Sequence, residues 1–129
     1  MNWNINKSLP ICPQICEQIC VMIVKKELLP KNKVFSVREL ALKIGVNPNT
    51  VQKAYEILES KKIIYSVRGS GWYVGEDIEI ALNVVKELSY KKTTDYITDM
   101  EQLGYSKNDI KQYILERLGE WNEWIIKVC

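Results

Sequence analysis

Histidine is missing from all 129 residues. Its absence excludes histidine triads, histidine general bases and histidine metal ligands together. No uninterrupted apolar run approaches the roughly 20 residues a membrane span requires. The opening residues Met1-Asn2-Trp3-Asn4 lack a basic start followed by an apolar stretch, so no secretory signal is expected. There is no nucleotide-binding loop, and no motif places a pair of carboxylates. An enzyme is therefore not expected. Cys-x-x-Cys knuckles are also missing, which argues against a zinc site.

Four cysteines are present: Cys12, Cys16, Cys20 and Cys129. The first three recur every four residues and form one stripe on a helix. A rigid helical face holds them apart, so a disulfide framework is not expected and a reducing cytoplasm fits better. Small apolar packing is their simplest role. A thiol or soft-metal sensor is the competing one. No metal or other cofactor is expected.

What is present is enough for one domain with an appendage: 47% apolar and 26% charged residues. The net charge of +2 hides a division. Residues 1–75 carry eleven Lys/Arg and five Asp/Glu, while residues 76–129 carry seven and eleven. A basic half joined to an acidic half points to two tasks, one of them meeting a polyanion.

Along the chain, Ile11, Ile15, Ile19, Met22 and Ile23 recur at helical spacing. That helix is expected to start at Cys12 or Pro13 and to fade near Glu27–Leu29, before Pro30. Lys31-Asn32-Lys33 reads as a basic loop. Ser36-Val37-Arg38-Glu39 is a capping box opening a second helix with Leu40, Ala41 and Ile44 inside; Gly45 closes it. Asn47 then caps a third helix, with Pro48 at its first position and Val51, Ala54, Tyr55 and Leu58 as its apolar face. Two short helices around Gly45-Val46 make a helix-turn-helix. Ile63–Val67 and Trp72–Val74 flank Arg68-Gly69-Ser70-Gly71 and predict a hairpin with an arginine at its tip.

The fold class is thus mainly α with a small β-hairpin (α+β). The expected domains are a winged helix-turn-helix over 8–76 and an α-helical C-terminal domain over 77–129, whose two amphipathic helices would bury their faces against each other, against the winged domain or against a second chain. In the C-terminal domain, Ile78 to Leu103 fit one long helix, Gly104 stops it, and Ser106 to Asp109 cap a last helix. Leu82, Val85, Leu88, Tyr96, Met100, Ile114, Leu118, Trp121, Trp124 and Ile125 supply those apolar faces, as core residues or as dimerisation contacts. Aromatic anchors at interfaces fit that role. Trp3 suits either a dimer contact or intramolecular packing.

Reading DNA requires short polar side chains at the start of a helix, with backbone amides toward phosphates. Asn47-Pro48-Asn49-Thr50-Val51-Gln52-Lys53 has that design. Asn49 or Gln52 suits adenine, Thr50 a thymine methyl or a phosphate, and Lys53 a phosphate. Ser36 and Arg38 stand at the second helix start, where Arg38 suits a phosphate or guanine. Arg68 and Gly69 suit a minor groove or the backbone.

These motifs, with Ala54-Tyr55 and Leu58-Glu59, resemble the GntR family of bacterial transcription regulators. The Asn-Pro-Asn-Thr turn and the short two-helix tail resemble its YtrA subfamily. The motif-rich resemblance covers about residues 8–76. It implies a homodimeric, cytoplasmic repressor held together by the C-terminal helices. Its partners would be itself and a palindromic double-stranded operator of its own operon, often beside ABC-transporter genes. It also implies DNA contacts at Arg38, Pro48, Asn49, Thr50, Gln52, Arg68 and Gly69. Position 48 is often basic elsewhere in the family, and proline removes that contact. Lys31, Phe35, Cys12-Pro13 and Trp72-Tyr73 are further departures. The tail is too small for the large effector domains of other branches, and no effector is legible. Two other readings compete: the thiol or metal sensor on this scaffold, and a protein–protein adaptor docking through Trp121 and Trp124.

Overall fold

The computed structural model describes residues 3–128, and the side chains among them except those of residues 121–126 and 128. The expectations for the side chains of Trp121, Trp124 and Ile125 lie outside the described residues. The element order is α1 (Ile11–Val24), α2 (Val37–Ile44), α3 (Pro48–Ser60), β1 (Ile64–Val67), β2 (Gly71–Val74), α4 (Glu79–Gln102) and α5 (Lys107–Val128). This is the expected α+β layout. The chain divides into two compact units, with the boundary between Glu87 and Leu88.

In the first unit, α1 turns Ile15, Ile19, Cys20, Met22 and Ile23 inward. Gln14 secures its start. The Gln14 side-chain N–H donates to the carbonyls of Asn6 (2.9 Å) and Pro10 (2.8 Å), and its Oε1 accepts from the Asn6 N–H. The helix ends at Val24, earlier than the sequence pattern predicts. Lys26 takes a left-handed φ of 62°, and the N–H groups of Glu27 and Leu28 turn back to the Met22 carbonyl. The turn tucks Leu28 into the core, where it is buried. Burying a leucine side chain is worth about 1.5–3 kcal/mol, enough to offset one strained φ.

Both N-caps form as predicted, but among the described residues the Glu39 side chain does not return to the Ser36 N–H, so the first capping box is only half made. The Glu39 N–H donates to Ser36 Oγ at 3.1 Å, and Gly45 adopts φ 68° at the far end of α2. The Asn49 N–H donates to Asn47 Oδ1 at 2.8 Å, with Pro48 at the first helical position. On α3, Val51, Ala54, Tyr55 and Leu58 are buried. Tyr55 donates its hydroxyl to the Phe35 carbonyl at 2.7 Å and meets the Trp72 ring edge-on at 5.4 Å. Trp3 stays within the unit, its ring 6.2 Å from that of Phe35.

The hairpin pairs Ile64 with Val74, Tyr65 with Tyr73, Ser66 with Trp72 and Val67 with Gly71, antiparallel. Gly69 supplies the turn with φ 77°. The segment expected as a loop at Lys31–Lys33 instead lies along the free edge of β2. Lys33 bridges Tyr73, the Val34 N–H donates to the Trp72 carbonyl at 2.8 Å, and the Val74 N–H donates to the Asn32 carbonyl at 2.9 Å. Val34 is buried by this pairing. The start of α4 also belongs here: Ala81 is buried in the winged core, and Ile78, Ile80, Val84 and Val85 pack against it.

The second unit holds the rest of α4 and α5. Gly104, at φ 95°, ends the turn after α4. Ser106 and Asp109 form a reciprocal capping box, at 3.1 Å and 3.0 Å. The two bonds from Ser106 hold the Asp109 carboxyl below the usual carboxylate range. Ile110 is buried, and Ile97, Ile110, Ile114 and Leu115 line an apolar depression of about 380 Å³.

Candidate nucleic-acid interface

The structure brings the expected DNA-reading residues to two places. At the first, α2 and α3 meet. Arg38, Asn47, Pro48, Asn49 and Lys53 are exposed, while Ser36, Thr50 and Gln52 are half-buried. Arg38 and Pro48 line one shallow depression with Ala41, Leu42 and Val46. At the second, Arg68 and Gly69 are exposed at the hairpin turn. Among the described residues, Arg38, Lys53 and Arg68 enter no ion pair. Three unneutralised cations are what a phosphate backbone requires.

Capping occupies some of these side chains. Ser36 Oγ and Asn47 Oδ1 each accept a backbone N–H, so both residues shape helix starts. Gln52 donates from Nε2 to Glu56 Oε1 at 3.2 Å, one turn along the exposed face of α3. Reading adenine with both amide groups requires Gln52 to give up that bond.

The expectation that backbone amides of α3 face phosphates does not survive. Pro48 has no N–H. The Asn49 N–H goes to Asn47 Oδ1, and the N–H groups of Thr50 and Val51 go to the Asn47 carbonyl at 2.9 Å and 3.4 Å. Every donor in the first turn is used inside the chain, so the usual anion site of a helix start is closed. Phosphate contacts here must come from side chains.

Two residues that the sequence reading did not assign support the wing. Glu59, near the end of α3, accepts from the Ser66 N–H (3.1 Å) and the Ser66 hydroxyl (2.7 Å) on β1. It fastens the hairpin to α3. Lys33 runs alongside Gly71, where its Cε lies 3.1 Å from the position a Cβ would take. That adds a basic side chain to the wing. In sequence Glu59 stands in the Leu58-Glu59 motif and Lys33 in the basic run Lys31-Asn32-Lys33, but neither signal shows that the residue meets the wing.

The stripe of Cys12, Cys16 and Cys20 serves packing, and Cys129 lies outside the described residues. Cys12 Sγ donates to the Thr50 carbonyl at 3.3 Å and Cys16 Sγ to the Ala54 carbonyl at 3.5 Å, stitching α1 to α3. Cys20 is fully buried. Burial pushes the Cys16 thiol up to about 11 and the Cys20 thiol up to about 12, with the neighbouring cysteine adding to each. At neutral pH both are protonated and weakly nucleophilic, which does not favour a thiol sensor. Among the described residues, no group of three or more His, Cys, Asp or Glu is placed to hold a metal ion. Nor is any described helix long and apolar enough to cross a membrane.

Comparison with known proteins agrees with this geometry. The family model described as bacterial regulatory proteins, gntR family, matches residues 13–74. The HTH-type transcriptional repressor YtrA of Bacillus subtilis is 38% identical over 115 residues, covering 88% of this chain and 82% of its own. A solved GntR family transcriptional regulator from Listeria monocytogenes is 38% identical, with a TM-score of 0.74 over 87% of this chain and 98% of its own. The DNA-binding domain of AraR, solved in complex with an operator, is 31% identical. Its TM-score is 0.50 over 58% of this chain and 94% of its own. From the caps of α2 and α3 to the wing, and along most of its length in sequence, the chain belongs to the GntR family of DNA-binding transcriptional regulators, in the branch of YtrA.

Proposed function

We propose that this regulator is a homodimeric repressor of its own operon, bound to a palindromic operator through its two winged units. The carrying observation is the exposed start of α3. Asn49 and Lys53 are exposed near the Asn47-capped start of α3, with Arg38 exposed on the neighbouring helix. In this reading α3 enters the major groove. Asn49 and Gln52 pair with base edges, Thr50 meets a base or phosphate, and Arg38 and Lys53 grip phosphates. Arg68 and Gly69 approach the neighbouring backbone or minor groove, with Lys33 behind them.

Repressor function is supported by the relative named a repressor, and operator binding by the AraR complex. Dimerisation is supported by the second unit. Tyr113, Leu115 and Leu118 are exposed on α5, and Leu103 is exposed after α4. Leu82, Leu88, Tyr96, Met100 and Ile114 are only partly covered within the chain. A second copy would cover such a face. Val85 is already engaged against the winged core, so its share in self-association is smaller. A dimer bound over a promoter excludes polymerase without any chemistry of its own. The acidic balance of residues 76–129 disfavours contact between the tail and phosphates.

Footprinting on the DNA directly upstream of the chain's own gene tests the proposal. The expected result is a protected inverted repeat overlapping the promoter. Protection of a single half-site, or none, would overturn the dimeric operator reading.

A further inference from the structure

Leu42 is 84% exposed on α2, although the helix buries Leu40, Ala41 and Ile44. A lone exposed leucine needs no explanation. This one is not alone: Leu42, Val46 and Pro48 line a depression of about 280 Å³, with Ala41 at its floor and Arg38 at its rim. Leu42 stands one helical turn after Arg38 on the same face of α2. Pro48 is the first residue of α3 and immediately precedes Asn49. The apolar surface is therefore continuous with the proposed DNA-contacting residues on both helices.

The chemistry of this corner is unusual for a helix start. Proline brings no N–H, and Asn47 takes up the donors of the following three residues. The place where a helix normally offers amides to an anion offers carbon instead. In the major groove, the one apolar feature on a base edge is the C5-methyl group of thymine.

We propose that Leu42, Val46 and Pro48 form a methyl-reading site, selecting thymine at one position of each half-site. This inference rests on the DNA-binding arrangement proposed above and adds an apolar contact to those of its polar residues. Arg38 at the rim would hold the adjacent phosphate and keep the methyl group seated.

The test uses the full chain and duplexes that it selects from a randomised pool. Each thymine of a selected duplex is replaced in turn by deoxyuridine, which removes only the methyl group. At one position per half-site, the loss should weaken binding about three- to fourfold, the worth of one buried methyl group. Leu42→Ser should bring thymine and deoxyuridine to equal affinity at that position while leaving other positions as in the wild type. Pro48→Ala should narrow the same ratio. Leu42 is exposed, so an unchanged circular dichroism spectrum is expected for its variant. Equal binding of deoxyuridine at every position, or a ratio that survives Leu42→Ser, would overturn the methyl-reading site alone. A pool from which no duplex is enriched would overturn the DNA-binding arrangement and this inference with it.

Discussion

The two compact units treat their apolar residues in opposite ways. The winged unit closes its core by itself: Ile15, Ile19, Leu40, Val51, Tyr55, Leu58 and Ile64 are at most 1% exposed. In the tail, Ile110 is the one buried hydrophobic among the described residues, while Leu115 and Leu118 are 55% and 57% exposed. The winged unit draws its core from four helices and a hairpin, elements that converge from several directions. Two helices have only one face each to share. The first unit closes a core of its own, and the second leaves Leu115 and Leu118 exposed among the described residues, as the proposed dimer would require.

The sharpest way to break this contrast is to damage each unit in its own manner. Ile15→Ala removes a fully buried side chain of α1 from the winged core. It should cost about 2–5 kcal/mol, a large share of the stability of a domain this size. Urea unfolding should show this loss at every protein concentration. Leu118→Glu should leave the winged unit folded and act on association instead. Sedimentation should shift from dimer toward monomer. Operator affinity should then fall about 100-fold, as two linked half-site contacts become independent. If Leu118→Glu unfolds the winged unit, or stays dimeric with full affinity, the division of labour between the units is wrong.

The DNA side of the contrast is electrostatic and gives a smaller effect. Arg38 and Arg68 lie on different elements and are free of ion pairs among the described residues. Replacing either with alanine should weaken operator binding and reduce the salt slope by about one phosphate's worth each. Measuring affinity across a salt series checks this. An unchanged slope in both variants would remove these residues from the interface.

How much of this was readable in the sequence depended on how local each signal was. The boundaries of α2 and α3 were legible because a cap is decided within four residues. Ser36, Gly45, Asn47 and Pro48 each act on their immediate neighbours. The Ser106–Asp109 box was legible for the same reason. The edge pairing at Lys33 was not, because its partner Tyr73 is distant in sequence and three polar residues carry no strand alternation. The early end of α1 was hidden too: lysine at a left-handed φ has no sequence mark, unlike glycine. At the candidate interface, residue types were legible and their engagement was not. Asn47 and Ser36 read as caps in sequence and act as caps in the structure, whereas the bond that ties Gln52 to Glu56 shows only in the structure. Glu59 looks like a surface acid and fastens the wing.

The cysteine stripe offers the mildest test, confined to the winged unit. Burial raises the Cys16 thiol to about 11 and the Cys20 thiol to about 12, from an ordinary value of 9.0. Tyr55 is raised as well, also by burial. In each case the folded state holds its proton more tightly than the unfolded chain does. The stabilisation is therefore complete below about pH 9, where both states are protonated. Above that, the unfolded chain releases protons first, and stability declines as pH rises through 11 toward 12. Unfolding of the winged unit should be flat from pH 7 to about 8.5 and then weaken progressively. Cys16→Ala should shallow that decline, because one of the contributing protons is gone. Cys20→Ala should do the same at the additional cost of a small cavity. Native thiols should react slowly with an alkylating agent at neutral pH and rapidly once urea opens the unit. Fast labelling of Cys16 and Cys20 in the folded protein would mean that the core is not sealed as described, and the contrast with the tail would lose its basis.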